Sequence, residues 1–206
     1  MTKVELSDGR GDARRVRAAI QRSEALAAIH EAARVVLREH TVFDLSAAVV
    51  AGGAGRTRQL VHHYYPSMRG LVYALADELT VAFQEAGASL DAGLVDWPHR
   101  FADRVADIAL ADPGPNRQVL LVSASQGRGM AAATAGTSQE IIPALERRNP
   151  VGADRASWLT VTLFRGVLFT WAAEGLSDEE FRRALHEVAD VVPAQRRIWT
   201  EVGSQA

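Results

Sequence analysis

The chain of 206 residues contains no cysteine. Disulfides, thiolate nucleophiles and cysteine-ligated metal centres are therefore excluded. Lysine is nearly absent as well: Lys3 is the single lysine among 23 Lys+Arg, so the cationic chemistry is guanidinium chemistry. No apolar run reaches the ~18 residues that mark a membrane span. The first twelve residues, MTKVELSDGRGD, carry no apolar core of the signal-peptide kind, so a cytoplasmic location is expected. Strand-like alternation, internal repeats and low-complexity tracts are all missing. So are a nucleophile elbow, a phosphate loop and a metal-ligand pair, and Gly127-Arg128-Gly129 lacks the strand and third glycine of a dinucleotide fingerprint. Asp103 and Asp107 share a helix face and read as solvated. These absences argue against an enzyme and leave no expected cofactor or metal.

Hydrophobic residues make up 48%, enough for a real core and too many for a disordered chain. Helical periodicity dominates, and the expected fold is all-α. The net charge is −2, but it is unevenly spread. Residues 1–73 hold 11 Lys+Arg against 7 Asp+Glu, a net +4, and residues 74–206 hold 12 against 18, a net −6. A basic first third on an acidic body suits a head that faces a polyanion.

The densest information lies in Leu45 to Leu71, reading LSAAVVAGGAGRTRQLVHHYYPSMRGL. A short apolar helix (Ser46 to Ala51) runs into a glycine-rich corner (Gly52-Gly53-Ala54-Gly55). A second short helix (Thr57 to Tyr64) follows at once and carries hydrogen-bonding side chains. That is the layout of a helix-turn-helix, whose second helix lies in the DNA major groove. The preceding helix is expected over Ser23 to Glu39, with Leu26, Ile29, Ala33, Val36 and Leu37 on one face. Phe43 and Leu45 are expected to plug the bottom of this three-helix head. Residues 1–22, polar with Arg10, Arg14, Arg15 and Arg17, read as a flexible basic arm. The head spans residues 23–73 and the body residues 74–206.

This segment resembles the DNA-binding domain of TetR-family transcriptional regulators. The resemblance rests on Ala32-Ala33 with Val36-Leu37, on Val50-Ala51-Gly52-Gly53-Ala54-Gly55, on Thr57 and Leu60-Val61-His62-His63-Tyr64-Tyr65, and on Pro66-Ser67 with Leu71. It covers roughly residues 24–75. His62 stands where most members have Tyr, Arg56 where the turn is usually apolar, and Met68 where a Lys usually opens the fourth helix. Thr41 occupies a common glycine position. The resemblance implies a bacterial regulator, in most members a repressor, that binds a palindromic double-stranded DNA operator as a homodimer and leaves it on binding a small-molecule effector. The alternative is a dimeric ligand- or protein-binding module of the same fold that has lost operator binding. Met68, Arg56 and His62 motivate that alternative.

On the recognition helix, Thr57 can cap the N-terminus and meet a phosphate. Arg58 and Gln59 project into the groove, where Arg pairs with guanine and Gln with adenine. Leu60 can touch a thymine methyl. His63 shares the outer face with Gln59, and the resemblance gives His62 and Tyr64 backbone-contacting positions. Ser46 and Arg56 complete the expected DNA-contacting set. The plainer reading of Arg58 and Gln59 is a solvated face. His62 and His63 project about 100° apart on a helix, poor geometry for joint chelation, so no metal is expected.

The body reads as helical throughout. Ser67 is expected to cap a fourth helix with Leu71, Leu75, Leu79 and Phe83 inward. Pro98 starts another, which Asp112-Pro113-Gly114-Pro115 ends. Val119 to Val122 belong to the next, ending near Gly127-Arg128-Gly129, and Ile141 to Arg148 form one more. A long apolar helix is expected over Ala153 to Glu174 with Gly175 past its end. Ser177-Asp178-Glu179-Glu180 is a capping box for a last helix that Pro193 should kink or split. The resemblance pairs residues 153–201 across a twofold axis. Trp97, Phe101, Met130, Trp158, Thr162 and Phe164 are candidate effector contacts, with a hydrophobic or aromatic ligand expected. His99, Ser123, Ser125 and Gln126 are further polar candidates.

Overall fold

The computed structural model describes residues 9–90, 96–124 and 153–203. Its described elements are eight α-helices and one 3-10 turn: α1 Gly9–Glu39, the turn Val42–Asp44, α2 Ala47–Gly53, α3 Arg58–Tyr64, α4 Met68–Ser89, α5 Trp97–Leu110, α6 Pro113–Ala124, α7 Ala153–Glu174 and α8 Asp178–Gly203. The chain divides into two compact units, residues 1–71 and 72–206. The expected helix over 141–148 and the helix end near Gly127 lie outside the described residues.

In the first unit, α1 buries Ala25, Ile29, Ala32, Ala33 and Leu37, a stripe at three- and four-residue spacing. It packs on α2, and α2 packs on α3. α2 begins where the Ser46 hydroxyl accepts from Val49 N at 3.3 Å. Ala47, Val50 and Ala51 form its inner face. A Cβ built on Gly53 would lie 3.1 Å from Ala32 Cβ, so a glycine lets α2 approach α1 there. The helix ends in paired reverse bonds, Gly55 N to Gly52 O at 3.3 Å and Arg56 N to Ala51 O at 3.0 Å. Gly55 has φ of +59°, the left-handed conformation that this termination requires.

Two expectations for this unit are corrected. Leu45 is buried, but Phe43 is 93% exposed and plugs nothing. Its 3-10 turn is held instead by Asp44, whose carboxylate accepts from Thr41 N at 2.9 Å and Thr41 Oγ1 at 2.8 Å. The segment 9–22, expected as a loose arm, is helical and continuous with α1. An existing packed helix needs no new nucleus to extend.

In the second unit, α4 buries Leu75, Leu79 and Phe83 as expected. α5 packs on α8, α8 on α7, and α7 on α6. Asn116 Nδ2 donates to the carbonyls of Ile108 (3.2 Å) and Ala109 (3.0 Å), satisfying acceptors that the end of α5 leaves open. Trp171 and Phe181 stack at 4.7 Å, and Arg117 lies over Trp171 at 4.7 Å while donating to Leu176 O at 2.7 Å. Gly175 has φ of +70° and turns the chain from α7 into α8. Ser177 and Glu180 cap α8 reciprocally.

α5 and α8 are further joined by three antiparallel pairs: His99–Asp190 at 2.9 Å, Asp103–His186 at 2.8 Å and Asp107–Arg182 at 2.8 Å. Asp103 and Asp107 are thus paired across helices rather than merely solvated. Exposed pairs of this kind each contribute about 0–1 kcal/mol, and their four-residue steps fix the register of the two helices. Pro193 does not split α8, which continues to Gly203. A proline removes one N–H from the ladder, and burial of Phe181, Leu185 and Ala189 anchors the turns before it.

Candidate nucleic-acid interface

α3 carries an exposed face of the head. Thr57 is its N-cap, with Oγ1 accepting from Leu60 N at 3.2 Å. That bond uses the hydroxyl as acceptor and leaves its hydrogen available to an anion. Arg58, Gln59, His62 and His63 are all exposed. At 3.6 residues per turn they fall within about 140° of arc. Val61 lies outside that arc and is fully buried. Leu60 and Tyr64 are half-buried, and Ser46 and Arg56 are exposed. The nine residues singled out in the sequence therefore lie on α3 and at the starts of α2 and α3.

Two residues missed in the sequence hold this helix. His30, only 8% exposed on α1, shares a hydrogen bond of 2.5 Å with the Tyr65 hydroxyl. Tyr65 is the C-cap of α3. The Arg22 guanidinium lies 5.8 Å from the Tyr64 ring centroid, within cation–π range. The signal for His30 was a polar residue beside Ile29 on the buried stripe of α1. At the junction with α4, Ser67 Oγ accepts from Gly70 N at 3.2 Å, as its capping role requires. Met68 is the first residue of α4, followed by exposed Arg69.

The candidate effector contacts divide. Trp97, Phe101 and Phe164 are buried together: Trp97 stacks on Phe101 at 5.1 Å, and Phe101 meets Phe164 edge-on at 5.1 Å. Trp97 Nε1 is buried with no hydrogen-bond partner among the described residues. Thr162 does not join them. It is exposed on α7, about 200° around the helix from Phe164. Met130 and the Trp158 side chain lie outside the described residues, as do Ser125 and Gln126. His99 pairs with Asp190, and buried Ser123 donates to Leu120 O at 2.8 Å. An open groove of about 540 Å³, missed in the sequence, runs between α4 and α5. Ala82, Ala86, Ile108 and Ala111 give it an apolar floor, with Glu85, Arg104 and Asp107 at its rim.

Solved structures share this fold. A TetR transcriptional regulator from Rhodococcus sp. RHA1 superimposes with a TM-score of 0.60 at 14% identity, covering 84% of this chain and 97% of that one. The TetR-like regulator LfrR from Mycobacterium smegmatis, solved in complex with proflavine, gives 0.54 at 24% identity, covering 81% and 95%. The fold is that of the TetR-family regulators. No protein-family model matches the chain, and no curated protein matches it. The likeness to TetR structures therefore extends over most of the chain as a fold, at low sequence identity. No described helix is long and apolar enough to cross a membrane.

Proposed function

We propose that this protein is a ligand-responsive transcriptional regulator, acting as a repressor rather than as an enzyme. The observation that carries this reading is the α3 surface: a capped short helix in a helix-turn-helix, with Arg58, Gln59, His62 and His63 on one exposed arc. Such a helix reads base edges, while Thr57, Ser46 and Arg56 sit where backbone phosphates pass. One short helix reads few base pairs. Two heads about one helical turn (~34 Å) apart raise specificity, which is the use of a homodimer on a palindromic operator.

Residues 153–201 supply the dimer face in this reading. Thr162, Gly166, Thr170 and Ala173 form an exposed stripe of small residues along α7, and beyond the helix's own backbone and Gly166's two chain neighbours no atom of the described residues lies within 4 Å of a Cβ built on Gly166. A partner helix could approach closely there.

The effector is a small aromatic molecule held by the second unit. The Trp97–Phe101–Phe164 cluster supports this class, as does the Trp97 indole N–H, unpaired among the described residues, which a ligand acceptor would satisfy. The planar proflavine in LfrR shows that a protein of this fold admits such a molecule. Binding beside α4 shifts that helix, whose first turn belongs to the head. The coupling equals the effector's differential affinity for the two states. The protein works in the cytoplasm in this reading.

The deciding experiment is anisotropy with DNA from upstream of its own gene across a salt series, backed by selection from random duplexes. A near-palindromic site with log-linear loss of affinity in salt is the expected result. Absence of any selected site would favour a dimeric binding module that no longer reads DNA.

A further inference from the structure

The first turns of α1 carry a charged surface that the helix-turn-helix does not use. Every residue from 13 to 24 is exposed, including Val16 at 54% and Ile20 at 52%. The helix is therefore an exposed rod over residues 13–24, about 18 Å long. Between residues 13 and 23 it holds Arg14, Arg15, Arg17 and Arg22 and no acid. On a helical projection the four arginines occupy about 160° of arc, and Val16 and Ile20 lie on the other side.

Arg14 and Arg17 are like charges at three-residue spacing and repel one another, so this pattern does not stabilise the rod. An external polyanion would offset that cost. The direction of the basic side is set by Arg22, whose guanidinium lies over the Tyr64 ring of α3. Arg15 is two turns before Arg22 on nearly the same line, about 10 Å further along the axis. The basic stripe thus starts beside the recognition helix and continues past it.

We propose that the N-terminal rod of α1 is a second DNA-binding surface, contacting phosphates about three base pairs outside the half-site that α3 reads. The distance follows from the ~10 Å reach and the 3.4 Å spacing of phosphates along one strand. The inference rests on the DNA-binding reading of α3. It also supplies cationic contacts that Met68 does not. Because phosphates carry no sequence information, the rod adds affinity and salt dependence without adding base preference.

The test compares the full chain with R14Q/R15Q/R17Q on the selected operator, in a long duplex and in one trimmed to the core site. These side chains are exposed, so circular dichroism should show equal helix content. On the long duplex the variant should bind at least tenfold more weakly near 0.1 M salt, with a log–log salt slope shallower by about 2 to 3. On the trimmed duplex the difference should vanish. Equal affinity and slope on the long duplex would overturn the proposal and leave α3 as the reader. Variant loss of binding to phosphatidylserine vesicles, with operator binding intact, would overturn it in favour of an amphipathic membrane contact. A parent protein that binds no DNA at any salt would remove the underlying α3 reading, a result distinct from either.

Discussion

His30 on α1 and Tyr65 at the end of α3 share a hydrogen bond 35 residues apart in sequence. It ties the C-terminus of α3 to α1. Tyr65→Phe keeps the ring and removes this bond. A typical bond of this kind contributes about 0.5–1.5 kcal/mol, more where a buried group is left wanting. Urea denaturation of Tyr65→Phe should show a loss in that range or above, with unchanged m-value. Full retention of stability would mean that His30 finds an equivalent partner.

Adjacent glycines in α2 should respond oppositely. Nothing lies within 4 Å of a Cβ on Gly52, whereas one on Gly53 meets Ala32 Cβ at 3.1 Å. Gly52→Ala should stabilise the head by about 0.5–1 kcal/mol through lower unfolded-chain entropy. Gly53→Val should cost about 1–3 kcal/mol because α1 and α2 must separate. Thermal melts of the two variants check the pair, and equal shifts would contradict the close approach.

The helix ends were the most legible parts of the sequence. Thr57, Ser67, Gly175 and the Ser177–Glu180 box all signal through local bonds between neighbours in sequence, and each takes the expected place. Long-range partners were not legible. Asp103 and Asp107 read as solvated because their partners His186 and Arg182 lie some 80 residues away. Phe43 is a single apolar residue in a turn, where no periodicity says which way it faces. The candidate DNA surface followed from helical spacing together with the family resemblance, whereas the α4–α5 groove depends on how two helices diverge, which spacing does not encode.

The Ser177–Glu180 box has a pH signature. Hydrogen bonds from the Ser177 hydroxyl (2.6 Å) and then its backbone N–H (2.9 Å) hold the Glu180 carboxyl below its ordinary value of 4.5. A carboxylate with a depressed folded-state pKa stabilises the fold above its unfolded value, and that contribution is lost as pH falls through the folded value. Stability of the parent should therefore decline below about pH 4.5 more steeply than that of Glu180→Gln. Denaturant midpoints at pH 7 and pH 3.5 measure this, and parallel declines would refute it.

Trp97 should discriminate ligands by their acceptors. Its indole N–H is buried without a partner, beside Phe101 and Phe164. In the effector reading, 2-acetonaphthone should bind more tightly than 2-ethylnaphthalene, by the roughly two- to tenfold that one hydrogen bond provides. Trp97→Phe should abolish that preference while both ligands still bind. Titration by calorimetry reads both quantities. A preference that survives in Trp97→Phe would place the ligand acceptor elsewhere.

Residues of α3 should separate into readers and holders. Arg58 and Gln59 point out of the fold, and neither is buried. Alanine at either should leave the head folded and relax base preference at one position per half-site, at about 1–3 kcal/mol for a lost bidentate contact. Thr57 differs because its Oγ1 caps the helix. Thr57→Ala should weaken binding to all sequences alike, through a frayed first turn costing about 0.5–2 kcal/mol and the loss of any phosphate contact. Measuring affinities for the operator and for single-base variants distinguishes the two behaviours. If Arg58→Ala and Gln59→Ala left every affinity unchanged, α3 would not be the reading helix, because no other exposed residue of α3 offers bidentate geometry.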